Sequence, residues 1–228
     1  MDFHFISFLC LLATIALFIA ARRLNRFHNA WYTMPLIVVS VITIALLMIF
    51  RISFTDYYRY NYWLTWLLGP TVVAFAIPLY ENRATVKKHF LSISAGVVVG
   101  IVVAISSSYI LMKLWGFDDE VTKSFIFRSI STPFAMGAAK DIGGSENLAA
   151  IFVVFTGVMT NLMGVFWLNL IKIKSYMAQG AAMGAAGHGV GTAKAFELGE
   201  KQGMISSLVM MLSGVITMLI APLCNFLF

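Results

Sequence analysis

Charge is scarce in this chain. Of its 228 residues, 11% are charged and 60% are hydrophobic. Soluble domains average about 25% charged and about 45–50% apolar. That shortage excludes an ordinary soluble domain, and several apolar runs reach the ~20 residues a bilayer-spanning helix needs. Cysteine is nearly missing as well. Cys10 and Cys224 each lie inside an apolar run and read as small buried hydrophobes, not as a disulfide or metal framework. Of the four histidines, His4, His28 and His89 fall at or beyond the ends of apolar runs. No HExxH, GxSxG or P-loop is present, and "GHGVGTAKAFELGE" lacks the strand–turn–helix context of a dinucleotide fingerprint. The expectation is therefore no enzyme, no metal and no cofactor.

The net charge of +6 does not point to nucleic acid. The basic residues form short clusters between apolar runs: Arg22, Arg23 and Arg26; Arg83, Lys87 and Lys88; Lys172 and Lys174. Such clusters at span ends are the positive-inside pattern. The first apolar stretch, 3–21, follows Asp2 and precedes arginines, the reverse of a secretory signal. It is expected to be a retained span with the N-terminus outside.

Full spans are expected at 3–21, 33–50, 62–80, 90–115, 146–171 and 204–227. Pro35 suits a first helical turn. Pro70 and Pro78 in the third span point to a kinked scaffold helix, with a third unwound site as the alternative. Ser92, Gly96, Gly100, Ala104 and Ser108 recur every four residues and offer a close helix approach.

Orientation exposes two segments that do not fit as simple spans. Basic loops at 22–30, 81–89 and 172–174 belong inside, and "GFDDE" at 116–120 outside. Only one crossing fits between 120 and 172. Segment 122–145 should then enter and return as a re-entrant hairpin, broken at Pro133, which removes a backbone donor. Segment 176–203 should be a second hairpin, entering from inside and broken by the glycines of "GHGVGT". The expected fold is an all-α polytopic membrane protein with about six full spans and two broken hairpins. Eight simple spans is the alternative. Scaffold helices would occupy 1–121 and a transport unit 122–228.

The two hairpin segments also resemble each other. "AKDIGG" at 139–144 parallels "AFELGE" at 195–200, and "TGVMTNL" at 156–162 parallels "SGVITML" at 213–219. Gly157, Val158, Thr160 and Leu162 match Gly214, Val215, Thr217 and Leu219. Units 122–171 and 176–227 thus read as an inverted repeat. Secondary transporters use this design to build a midplane site from half-helix ends. Candidate substrate-binding residues follow. Ser129, Ser131 and Thr132 lie beside Pro133, and Thr192 beside Gly189 and Gly191; hydroxyls and free amides there suit a small carboxylate. His188 can bind an anion, carry a proton, or be a hydrogen-bonded core residue. Arg128 and Lys194 can neutralise a carboxylate, or else pair with Asp141 and Glu197. Asn161 is expected mainly to bond between helices.

"RSISTPFAMGAAKDIGG", "LAAIFVVFTGV", "GAAGHGVGTAKAFELGEKQG" and "LLGPTVVAFAIPLYENR" resemble the LrgB/CidB family over roughly residues 60–225. The resemblance implies a bacterial cytoplasmic-membrane protein of the holin-like or antiholin-like class that modulates murein hydrolase activity and autolysis. It implies a small LrgA/CidA-like membrane partner, which this chain does not contain. A plastid relative that fuses both modules translocates glycolate and glycerate, and some bacterial pairs are linked to pyruvate uptake. Together these readings point to a secondary transporter of small monocarboxylates. H+ coupling and a homo-oligomer are expected. The second reading is a holin-like pore or lysis regulator, the third a structural partner that conducts nothing.

Overall fold

The computed structural model describes residues 3–28, 31–74 and 76–227; Asp2, used to orient the first span, lies outside them. Among the described residues every regular element is helical. Four helices are long and apolar enough to cross a membrane: His4–His28, Phe90–Leu114, Glu146–Leu170 and Glu200–Cys224. This is the architecture of an all-helical membrane protein.

The chain forms two compact units, 1–71 and 72–228. In the first, α1 (Phe3–His28) packs against α2 (Pro35–Ile49) and α3 (Phe54–Trp66). Pro35 opens α2 as expected, where its missing N–H costs nothing. The Ser53 hydroxyl caps α3 by accepting from Asp56 N at 3.1 Å. Cys10 is buried on α1, and Thr14 donates to its carbonyl at 2.9 Å.

The run 62–80 is not one helix. α3 ends at Trp66, followed by α4 (Leu68–Ala74), α5 (Ala76–Glu81) and α6 (Arg83–Lys88); Phe75 lies outside the described residues. Pro70 and Pro78 cannot donate to the helix ladder, so one expected kink becomes a series of short helices.

The second unit holds α7 (Phe90–Leu114), α8 (Asp119–Phe125), α9 (Thr132–Asp141), α10 (Glu146–Leu170), α11 (Tyr176–Leu198) and α12 (Glu200–Leu227). α12 is the most enclosed of the long helices. α7 and α10 turn apolar side chains such as Val99, Val103, Ile151 and Phe155 outwards, as lipid contact requires. Lipid is as apolar as leucine, so helix association must come from close packing. The small-residue stripe of α7 provides it. A Cβ on Gly96 would stand 3.1 Å from Ala181 Cβ, and one on Gly100 2.7 Å from Ala185 Cβ.

α11 is two helical arms, 176–187 and 189–198. In a continuous helix Ala195 and Met183 would be about 18 Å apart; here they share one buried cluster with Leu168. A Cβ on Gly191 would strike the Met183 carbonyl, eight residues earlier. The chain therefore doubles back at His188, whose backbone is at φ 42°, ψ −130°.

Candidate functional site

The first break lies between α8 and α9. Residues 126–131 leave the α-helical ladder through tight turns: Arg128 N donates to Phe125 O at 3.1 Å and Ile130 N to Phe127 O at 3.3 Å. Ser131 is extended, and Pro133 sits in the first turn of α9. The Ser131 side chain does not cap that helix. The Ser131 hydroxyl is buried with no hydrogen-bond partner among the described residues. Ser129 is also buried. The Arg128 guanidinium donates through Nε to Ser108 Oγ on α7 at 3.0 Å and lies 5.0 Å from the centre of the Phe125 ring. Of the partners expected for Arg128, Asp141 is exposed.

Against this break lies a small cavity of about 10 Å³, room for roughly one water. Gly100 and Ala104 of α7, Ile126, Phe127, Ser129 and Ile130 of the break, Ala185 of α11, and Ser213 and Thr217 of α12 contribute to its walls. Ser213 is 3% and Thr217 2% exposed, and neither hydroxyl has a partner among the described residues. Burying an unpaired hydroxyl costs about 1–3 kcal/mol. These two residues were legible in the sequence only as repeat positions. Their counterparts on α10 behave differently: Thr156 donates to Phe152 O at 2.8 Å and Thr160 to Thr156 O at 2.9 Å.

The second break is at His188 itself, with glycines on either side. The other non-glycine residues of positive φ among the described residues, Arg51 and Lys172, end helices in ordinary left-handed caps. His188 does not. Its imidazole Nε2 lies 2.9 Å from Val153 O on α10, and a carbonyl only accepts, so that nitrogen carries the proton. The ring reaches the α10 backbone because residue 157 is glycine; a Cβ there would be 2.9 Å from His188 Cε1. The repeat-related Gly214 makes the same kind of notch on α12, which Phe134 fills just beyond the first break. Thr192 bonds Ser206 Oγ at 2.9 Å, and both are buried.

The sequence-derived candidates therefore form two groups. Arg128, Ser129, Ser131, Thr132 and Pro133 surround the first break, and His188, Gly189, Gly191 and Thr192 the second. Ala185, three residues before His188, brings the second hairpin to the cavity. Lys194 turns to Glu197 on its own arm, Nζ to Oε2 2.6 Å. Asn161 is half-buried on α10. Outside the breaks, Lys113 Nζ lies 2.6 Å from Asp119 and holds that carboxyl below the usual carboxylate range. Among the described residues no cluster of His, Cys, Asp or Glu has the arrangement of a metal site.

The model of the LrgB-like family matches residues 14–226. The uncharacterized protein YxaC of Bacillus subtilis (strain 168) is 33% identical over 223 residues, 98% of this chain and 97% of that protein. The holin-like protein CidB of Staphylococcus aureus (strain N315) is 30% identical over 222 residues, 97% of each chain. No solved structure matches.

Proposed function

The chain belongs to the LrgB-like family, and from that premise we propose that it is a secondary transporter of small monocarboxylates of the pyruvate, glycolate or glycerate kind. One observation carries this reading: two broken helices meet at a cavity beside hydroxyls that no protein group satisfies. Buried polar groups without partners are rare in native structures and call for an explanation. A substrate carboxylate supplies one, since helix N-termini and hydroxyls are ready anion donors.

In this reading the chain crosses the cytoplasmic membrane about six times, with 62–80 broken into short helices and the N-terminus outside, and units 122–171 and 176–227, each a re-entrant hairpin with a full span, form an inverted repeat. The transport unit is 122–228. The 57-residue offset of Gly157 and Gly214, each notched for a ring at the other hairpin, supports the repeat. Arg128, Ser129, Ser131 and Thr132 face the substrate. The His188 and Thr192 hairpin closes the opposite side, with H+ as the coupling ion. A small LrgA/CidA-like subunit and self-association complete the assembly.

The name holin-like, borne by CidB, favours a second reading, control of lysis and murein hydrolase activity. The two are compatible if lysis control follows from metabolite flux. Uptake of labelled pyruvate, glycolate and glycerate into proteoliposomes under a pH gradient, with and without the small subunit, tests them. Saturable uptake is expected. Non-selective dye leakage without saturable uptake would replace transport by a pore.

A further inference from the structure

The two α12 hydroxyls differ from their repeat partners in a way that packing does not require. A serine or threonine inside an apolar helix ordinarily turns its hydroxyl to the carbonyl four residues earlier. Thr156 and Thr160 of α10 do so. Ser213 and Thr217 sit at the matching positions of α12, are almost fully buried, and leave their hydroxyls unpaired while lining the cavity at the first break.

We infer that Ser213 and Thr217 are the inner end of the substrate site, where both hydroxyls donate to one oxygen of a small carboxylate. The sign of the charge follows from the surroundings. Arg128, between the wall residues Phe127 and Ser129 and held at Ser108, and the start of α9, two residues beyond the wall residue Ile130, both favour an anion nearby. No aspartate or glutamate is buried among the described residues, so a bare metal cation there would lack a counter-charge. The size of the ligand follows from the walls. Gly100, Ala104 and Ala185 leave room for about one oxygen atom, so one carboxylate oxygen enters and a bulky substituent does not. The second break offers no such place, because Thr192 is closed by Ser206 and His188 by Val153.

This inference rests on the transport reading, and the experiment separates the two. The full chain in lipid nanodiscs is melted with increasing pyruvate or glycolate, and with chloride at matched ionic strength, alongside proteoliposome uptake of the same acids. Ser213→Ala, Thr217→Val and Thr217→Ser are compared with the unmodified protein. The alanine and valine variants are expected to melt at or above the parent without ligand, because each removes an unpaired hydroxyl. Each is expected to weaken carboxylate binding and raise KM about tenfold, as loss of a hydrogen bond to a charged group does. Thr217→Ser, which keeps the hydroxyl, is expected to stay within about threefold of the parent. Parent-like affinity in both Ser213→Ala and Thr217→Val would overturn the inference and leave transport standing; the hydroxyls would then hold only water. Lower ligand-free melting with unchanged affinity would assign them a packing role and overturn it too. A parent protein with neither saturable uptake nor a carboxylate-dependent melting shift would overturn both readings.

Discussion

The two helix breaks of the second unit are built on one plan and finished differently. At the His188 break the polar groups find protein partners: the imidazole bonds Val153 O, and Thr192 bonds Ser206. At the Ser131 break the Ser131, Ser213 and Thr217 hydroxyls find none among the described residues. A satisfied polar network fixes a shape, whereas an unsatisfied one stores an affinity for whatever completes it. The difference teaches that one break closes its polar groups on protein partners, whereas the other leaves three hydroxyls open to whatever enters.

The largest effect should come from opening the closed hairpin. Gly184 lies on the first arm, where an added Cβ would strike the Ser206 carbonyl of α12. A backbone atom cannot swing aside as a side chain can. Gly184→Val should cost about 3 kcal/mol or more. The monodisperse fraction on size exclusion in detergent checks this; a parent-like profile would mean that the two arms are not packed on α12 as described.

A smaller contrast sharpens the comparison directly. Thr192→Val leaves the fully buried Ser206 hydroxyl without its partner and should lower ligand-free stability by about 1–3 kcal/mol. The same loss of a hydroxyl at Thr217 should lower it not at all. Thermal unfolding of the two variants side by side reads the difference. Equal losses would erase the distinction between the breaks.

His188 offers a test of the hinge alone. Its φ of 42° is a conformation that side chains rarely adopt, and its ring bond to Val153 compensates for that strain. His188→Ala should keep the strain and lose the bond, at about 1–2 kcal/mol. His188→Gly loses the same bond but fits the backbone, and should melt as if about 1 kcal/mol more stable than the alanine variant. Alanine above glycine would show the hinge backbone to be unstrained.

Much of this was legible in the sequence, for physical reasons that differ by region. Pro133 announced the first break because proline is favoured in the first turn of a helix and so marks where a new helix starts, and the small-residue stripe of α7 announced a close helix contact. The second segment was recognised by its glycines, yet the reversal falls on the histidine between them. Glycines mark where a chain is free to turn; which residue turns is decided by a tertiary bond, here to Val153. Ser213 and Thr217 were invisible as site residues. A hydroxyl in an apolar helix looks alike whether it bonds its own backbone or points into a cavity, and only packing distinguishes the two. The run 62–80 looked continuous because hydropathy does not register how far two prolines and Gly69 interrupt the ladder.

The smallest effect belongs to Lys194. Its ammonium is 2.6 Å from Glu197 one turn along the same arm, and both side chains are partly exposed, 29% and 43%. Partly exposed pairs of this spacing contribute roughly 0.3–0.5 kcal/mol, so Lys194→Gln should barely move the melting temperature. Its value lies in the uptake assay. A lysine engaged by its own helix should leave KM for pyruvate within about twofold, whereas neutralising a cation that binds the carboxylate should raise it about tenfold. A tenfold rise would return Lys194 to the substrate and make the second break a ligand site as well. An unchanged KM would leave the carboxylate's charge to Arg128 and the start of α9, both at the first break.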